Sequence, residues 1–312
     1  MICFVAWNGI AWNLVKRRNM TMNRARRTSY IDLGEGDWNI EIRPTASFFQ
    51  LHLKELLAYR DLIFLFVRRD FKTMYKQTIL GPAWILLHPL MSTSVFTIIF
   101  GRIANISTDG VPDFLFYMAG NILWTYFSAC LLAASNTFLG NAGLFGKVYF
   151  PRMVTPISAS LSKLITFGAQ FLLFLLFAFR YLAIGKVRVT WWALATPFLL
   201  LELACLAMGT GMILASLTAK YRDLQVLVSF GMQLWMYATP IVYPLSQIPE
   251  KWSWLFWWNP VASVVECFRC GWLGSGSVSV CQLGVGVVIT AVVLMIGMLL
   301  FNRTQRNFMD TI

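Results

Sequence analysis

Charge is scarce in this sequence. Only 13% of its 312 residues are Asp, Glu, Lys or Arg, while 58% are hydrophobic and the mean hydropathy is +0.63. Soluble chains are about a quarter charged and about half apolar, so this one has more apolar surface than a soluble domain can bury. That excludes a soluble globular protein and leaves an integral membrane protein. Carboxylates are scarcer still: 14, dispersed along the chain. A membrane-embedded glycosyltransferase would cluster them at one membrane face for a metal or a sugar donor, so the dispersal counts against that alternative. The six cysteines, Cys3, Cys130, Cys205, Cys267, Cys270 and Cys281, lie mostly in apolar sequence. Cys267-x-x-Cys270 has no second pair and no nearby histidine, which argues against zinc. It reads as incidental, with a disulfide through Cys281 as the minor alternative.

A nucleotide-binding loop is missing as well. The stretch NAGLFGKVYFPR, Asn141 to Arg152, ends a glycine-rich run in Gly-Lys. A phosphate loop requires two glycines with four residues between them, then Lys and a hydroxyl residue that holds magnesium. Here five residues separate Gly140 from Gly146, and Lys147 is followed by Val148. No hydroxyl stands where the metal would need one, so no ATP or other cofactor is expected on this chain.

What is present is a series of long apolar segments, at about 83–101, 114–135, 157–179, 191–217, 224–243 and 280–301. Each approaches or exceeds the roughly 20 residues that cross a bilayer as a helix. Six spans place both termini on one side. The net charge of +12 suggests nucleic acid until the basic residues are located: 13 of the 26 precede Ala83. With Lys147, Arg152, Lys163, Lys220, Arg222, Arg303 and Arg306, 20 fall on the side of the termini. Six fall on the other: Arg102, Arg180, Lys186, Arg188, Lys251 and Arg269. The positive-inside rule then makes both termini cytoplasmic and removes the case for nucleic acid.

Residues 244–279 do not read as a plain loop. PEKWSWLFWWNPVASVVECFRCGWLG is apolar enough to enter the membrane, yet Asn259-Pro260 interrupts it. Two short helices dipping in from the outer face are expected, packed against protein or a water-filled cavity. Residues 60–80 form an amphipathic interface helix, with Phe64, Val67, Phe71 and Met74 on one stripe and Arg68, Lys72 and Lys76 on another. The chain thus divides into an N-terminal cytoplasmic segment (1–59), the interface helix (60–80) and a six-span domain (81–312). Within the first segment, residues 1–20 place Lys16-Arg17-Arg18 after a 15-residue apolar run, the reverse of a secretory signal. They read as an over-extended start, with Met20 or Met22 as initiator.

Four motifs now fall at defined topological positions: YKQTILGPAW entering span one, KVYFPR between spans two and three, KYRDL between spans four and five, and WNPVASVVECFR before span six. Together they resemble the permease subunit of ABC type-2 exporters, in the branch that exports O-antigen, capsule and teichoic-acid polymers. The resemblance covers residues from about Arg60 to the C-terminus. It implies a homodimer around a central conduit in the bacterial cytoplasmic membrane. Two copies of a separate cytoplasmic ATPase would carry ATP and magnesium, and the cargo would be a lipid-linked polysaccharide. Export of lipids or small drugs remains an alternative within the family. A proton-driven carrier would show repeats and several intramembrane ionisable groups; only one carboxylate, Glu202, lies deep in a span.

On this reading Phe145, Gly146, Lys147, Val148, Tyr149, Phe150 and Arg152 form a segment that touches the ATPase. The aromatics would seat in a groove of the partner, Lys147 and Arg152 would orient it, and Pro151 would stiffen the turn. Arg222 is a second contact, beside Asp223, which reads as a cap of span five. Aromatic rings can hold sugars loosely by stacking, and the candidates for the path include Trp124, Tyr126 and Tyr243. Trp254, Trp257 and Trp258 are candidates for an outer gate, set against the ordinary anchoring of such rings at membrane interfaces. Glu202 either lines the path or is paired structurally. Arg269, basic in the family pattern, either pairs with Glu266 or binds a substrate diphosphate.

Overall fold

The computed structural model describes residues 59–75, 79–145, 147–148, 150–221, 223–276 and 278–307. Residues 1–58 of the N-terminal segment, with its alternative starts, and Lys76, Gly146, Tyr149 and Arg222 fall outside them. Every regular element among the described residues is helical. Helix α1 (Arg60–Tyr75) precedes α2 (Trp84–Phe96), which continues as a π-helical turn over Thr97–Ile103. Then follow α3 (Asp113–Ser135), the short α4 (Thr137–Phe145), α5 (Val154–Ala183) and α6 (Thr196–Thr218), which is led in by a 3-10 turn at Trp191–Ala195. The series closes with α7 (Leu224–Tyr237), α8 (Glu250–Trp257), α9 (Pro260–Leu273) and α10 (Val280–Asn307).

Among the described residues, five helical stretches are long and apolar enough to cross a membrane: Gly81–Ile103, Asp113–Ser135, Val154–Ala183, Trp191–Thr218 and Val280–Gln305. The expected fifth span is shorter than its apolar sequence. Helix α7 has 14 residues, about 21 Å of rise against a hydrocarbon core of about 30 Å. It stops because Pro240 has no N–H to offer and its ring obstructs the helical path. The chain then runs irregularly through Thr239, Ile241 and Val242, all buried in protein, where such backbone is tolerated at membrane depth.

Lipid is as apolar as leucine, so burial of apolar side chains does little to hold such a bundle together; close packing and satisfied polar groups do more. Helix α3 is the centre, enclosed by α2, α5, α6, α7 and α9. The tightest crossing is α6 on α10. A Cβ on Gly209 would lie 2.8 Å from the backbone of Leu294, and one on Gly297 would strike the Gly209 carbonyl. Only glycine permits that approach. Pro89 in α2 leaves the Ile85 carbonyl without its helical donor, and the Gln170 amide of α5 supplies one at 3.4 Å.

Cross-helix bonds sort the molecule into two ends. Arg152 donates to the Gln305 carbonyl (2.7 Å) and Thr218 to that of Ser135 (3.3 Å), so the α4–α5 and α6–α7 connections share one end with the close of α10. At the opposite end the Thr190 amide donates to the Gly271 carbonyl (2.8 Å), and Ser246 to the Asp109 carboxylate (2.8 Å). The described basic residues of these connections, Lys147, Arg152 and Lys220, therefore gather at one end.

Candidate coupling segment and outer hairpin

The segment between α4 and α5 is built on an aromatic cluster at the basic end. Phe145 and Phe150, each 5% exposed, pack with ring centroids 5.6 Å apart. Phe66 of α1 meets Phe150 edge-on at 5.6 Å, and Phe138 stacks on Phe301 of α10 at 4.6 Å. Arg152 is also buried, its guanidinium 5.2 Å from the Phe145 ring while it bonds to Gln305. This departs from the sequence expectation. Phe145, Phe150 and Arg152 turn inward and fasten the segment to α1, α4 and α10, so they are not free to fill a groove in a partner. Aromatic pairs of this kind contribute about 0.5–1.5 kcal/mol each beyond the area they bury. What projects is Lys147 and Val148, the latter 53% exposed.

Helix α1 supplies the support, through a face that the sequence reading did not single out. Ile63 and Phe66 are buried, whereas Phe64 and Leu65 are exposed on either side of Arg68. Apolar residues occupy more than one side of this helix, so periodicity alone could not choose between neighbouring stripes. Asp223 begins α7 as expected, but its side chain makes no capping hydrogen bond.

At the other end, α8 and α9 form a hairpin whose turn is Asn259-Pro260. The Asn259 side chain caps α9 by accepting from the Val261 amide (3.2 Å), and Pro260 takes the first helical position. The Asn259 amide also donates to the Ala238 carbonyl (3.3 Å) and the Thr239 hydroxyl (3.1 Å), tying the turn to the break after α7. A Cβ on Gly286 of α10 would lie 2.8 Å from Glu202 Oε1 and 3.6 Å from Pro260 Cα. The turn thus sits against α6 and α10, inside the bundle. Glu202 is 5% exposed, packed near the first turn of α9.

Arg269 is 1% exposed, and its two terminal nitrogens donate to backbone. Nη1 reaches the Pro240 carbonyl at 2.6 Å, and Nη2 reaches those of Ile241 at 2.7 Å and Phe116 at 3.4 Å. Its guanidinium lies 3.6 Å from the Phe116 ring centroid and 3.8 Å from Glu266. A rigid fork suits two adjacent carbonyls left open by the break, a task one ammonium could not share out in the same way. The Glu266–Arg269 pair is therefore buried.

The remaining path candidates separate. Trp254, Trp257 and Trp258 stand exposed around a cavity of about 370 Å3 that Ser253 and Val285 complete. Trp124 and Tyr126 are buried, against Phe127 (5.5 Å) and Phe167 (5.4 Å). The Tyr243 hydroxyl donates to the Tyr237 carbonyl at 2.8 Å. Sequence reasoning missed Asn259 as a clamp and the rings of Phe66, Phe138 and Phe301 behind the coupling segment. Only Phe66, one helical turn from Ile63, carried a local signal.

Comparison with known proteins places the whole arrangement. Residues 61–272, from α1 through α9, match the family of ABC-2 type transporters. The O-antigen export system permease protein RfbA of Klebsiella pneumoniae is 28% identical over 266 residues, 83% of this chain and 98% of that protein. Its namesake in Myxococcus xanthus is 30% identical over 220 residues, 70% of this chain and 82% of that one. The polysialic acid transport protein KpsM of Escherichia coli is 26% identical over 248 residues, 78% and 93%. This chain belongs to the ABC-2 type transporter family, as a multi-pass membrane permease and not an enzyme.

Proposed function

We propose that this chain is the membrane permease of an ATP-driven exporter that moves a lipid-linked polysaccharide across the bacterial cytoplasmic membrane. The observation that carries the reading is its alignment along nearly the full length of relatives named for O-antigen export. Two copies form the conduit, and each docks a separate ATPase subunit at the basic end, which faces the cytoplasm. Lys147 and Val148 make the contact; Gly146, Tyr149 and Arg222, expected from the sequence as further contacts, lie outside the described residues. Phe145, Phe150 and Arg152 hold that surface rigid against α1 and α10, so movement of the ATPase is passed to the helices. No ATP or metal binds this chain; both belong to the partner.

At the opposite end the α8–α9 hairpin dips into the outer leaflet and presents Trp254, Trp257 and Trp258 toward the partner permease as a gate. Asn259 and Arg269 position the hairpin. Deleting the gene tests the cargo directly. The expected outcome is polysaccharide retained inside the cell on its lipid carrier, restored to the surface by the wild-type gene. Unchanged surface polysaccharide together with sensitivity to small toxic compounds would support drug export instead.

A further inference from the structure

Helix α5 carries a lysine that neither the coupling segment nor the hairpin explains. Lys163 lies nine residues inside α5, about 13 Å along the helix from its start at the basic end. It is half-buried and makes no hydrogen bond or ion pair among the described residues. A half-buried charge without a partner is costly, and it marks a candidate functional site.

Two cavities meet at this side chain. The larger, about 570 Å3, is lined by polar groups, among them Asn136, Ser158, Gln225 and the Arg69–Asp70 ion pair of α1 (2.9 Å). The smaller, about 280 Å3, is mostly apolar, with Trp84 and Ile85 of α2, Tyr126 of α3 and Phe167 of α5 in its wall. Ala129 and Lys163 belong to both walls. Asp70 also faces the polar cavity, but its carboxylate is engaged by Arg69, which leaves Lys163 as the unpaired cation there among the described residues. A polar chamber and an apolar chamber joined at one free ammonium match an amphiphile with an anionic head. Lysine is a point-charge partner for phosphate.

We propose that Lys163 binds the phosphate of the lipid that carries the polysaccharide, with the head in the larger cavity and the first part of the chain in the smaller. This rests on the reading of the cargo as a lipid-linked polysaccharide. The larger cavity is also walled by Thr137, Gly140 and Asn141 of α4, the helix that leads into the coupling segment. Occupation by the head would therefore be felt next to the ATPase contact.

The test uses the complete transporter, permease with its ATPase, in phosphatidylcholine nanodiscs. Binding of a polyprenyl diphosphate is measured by native mass spectrometry, and its stimulation of ATP hydrolysis is followed in parallel. Lys163→Gln is expected to weaken binding by at least about tenfold, as loss of one charge-assisted hydrogen bond would. Lys163→Arg should retain most of it. The uncharged polyprenol should bind weakly and equally to all three proteins. Ala129→Phe, which plugs the junction without changing charge, should match Lys163→Gln and keeps the test open if that variant fails to fold. Wild-type binding by both variants would overturn this site while leaving the cargo intact. No binding to the wild-type transporter would overturn the cargo reading and the site with it. Equal, Lys163-dependent binding of phosphatidylglycerol would make the occupant a resident lipid and overturn its assignment to the substrate.

Discussion

Arg269 shows what one residue contributes to this fold. Three carbonyls, an aromatic face and a carboxylate converge on it from α3, α9 and the break after α7. Removing one member of a buried charged network strands the others, typically at about 3–5 kcal/mol. Arg269→Met should lower both membrane abundance and the unfolding temperature of the purified protein, and Arg269→Lys should restore little because the fork is lost. Scanning fluorimetry reads this out; wild-type stability for the lysine variant would contradict the clamp. The sequence marked the position as basic and worth attention, but it could not show where the donors go. Those partners come from residues 29 and 153 positions away, and no local pattern encodes them. Phe145 and Phe150 teach the same lesson. Their aromatic character near a turn was legible, whereas their inward direction depends on Phe66, Phe138 and Phe301. Phe145→Ala should therefore cost stability, about 3–5 kcal/mol for a buried ring. Lys147→Glu with Val148→Asp should leave the permease stable but lower the ATPase recovered with it. Equal recovery of the ATPase from both would sink the proposed contact.

At the scale of elements, apolar length predicted helices well where nothing interrupted them, and less well where a single residue did. The expected fifth span ran through Pro240 because its surroundings stay apolar. The structure ends α7 at Tyr237 and turns the remainder into a buried link. Asn259-Pro260 is legible as an interruption because both residues are recognisable helix starters, set in an otherwise apolar stretch. The glycines at the α6–α10 crossing carried no such signal, since glycine in an apolar run has many uses. Gly209→Val would drive a side chain into the Leu294 backbone, and overpacking of this kind costs about 1–3 kcal/mol or more. Reduced abundance of an otherwise inserted protein is expected, measured by quantitative immunoblot of membranes. The tryptophans of α8 should behave oppositely. They are exposed around their cavity, so Trp254→Ala, Trp257→Ala and Trp258→Ala should preserve abundance and yield proteoliposomes that leak small solutes. Tight vesicles from all three would favour membrane anchoring over a gate.

For the whole molecule, the charge count and the packing divide the chain in the same way: the basic α4–α5 and α6–α7 connections sit at one end with the close of α10. If that end is cytoplasmic, cysteines introduced at 147 and 220 should resist a membrane-impermeant label in intact cells, whereas one at 186 should react. The central claim is that this permease moves a polysaccharide on a lipid carrier when its ATPase partner fires. The most direct measurement uses inside-out vesicles holding the purified permease and ATPase, supplied with lipid-linked polysaccharide from the same cells. The amount that becomes resistant to an added glycosidase is followed over time. The account predicts protection that requires ATP and that falls sharply with Lys147→Glu and Val148→Asp. Vigorous ATP hydrolysis with the polysaccharide left fully digestible would contradict it.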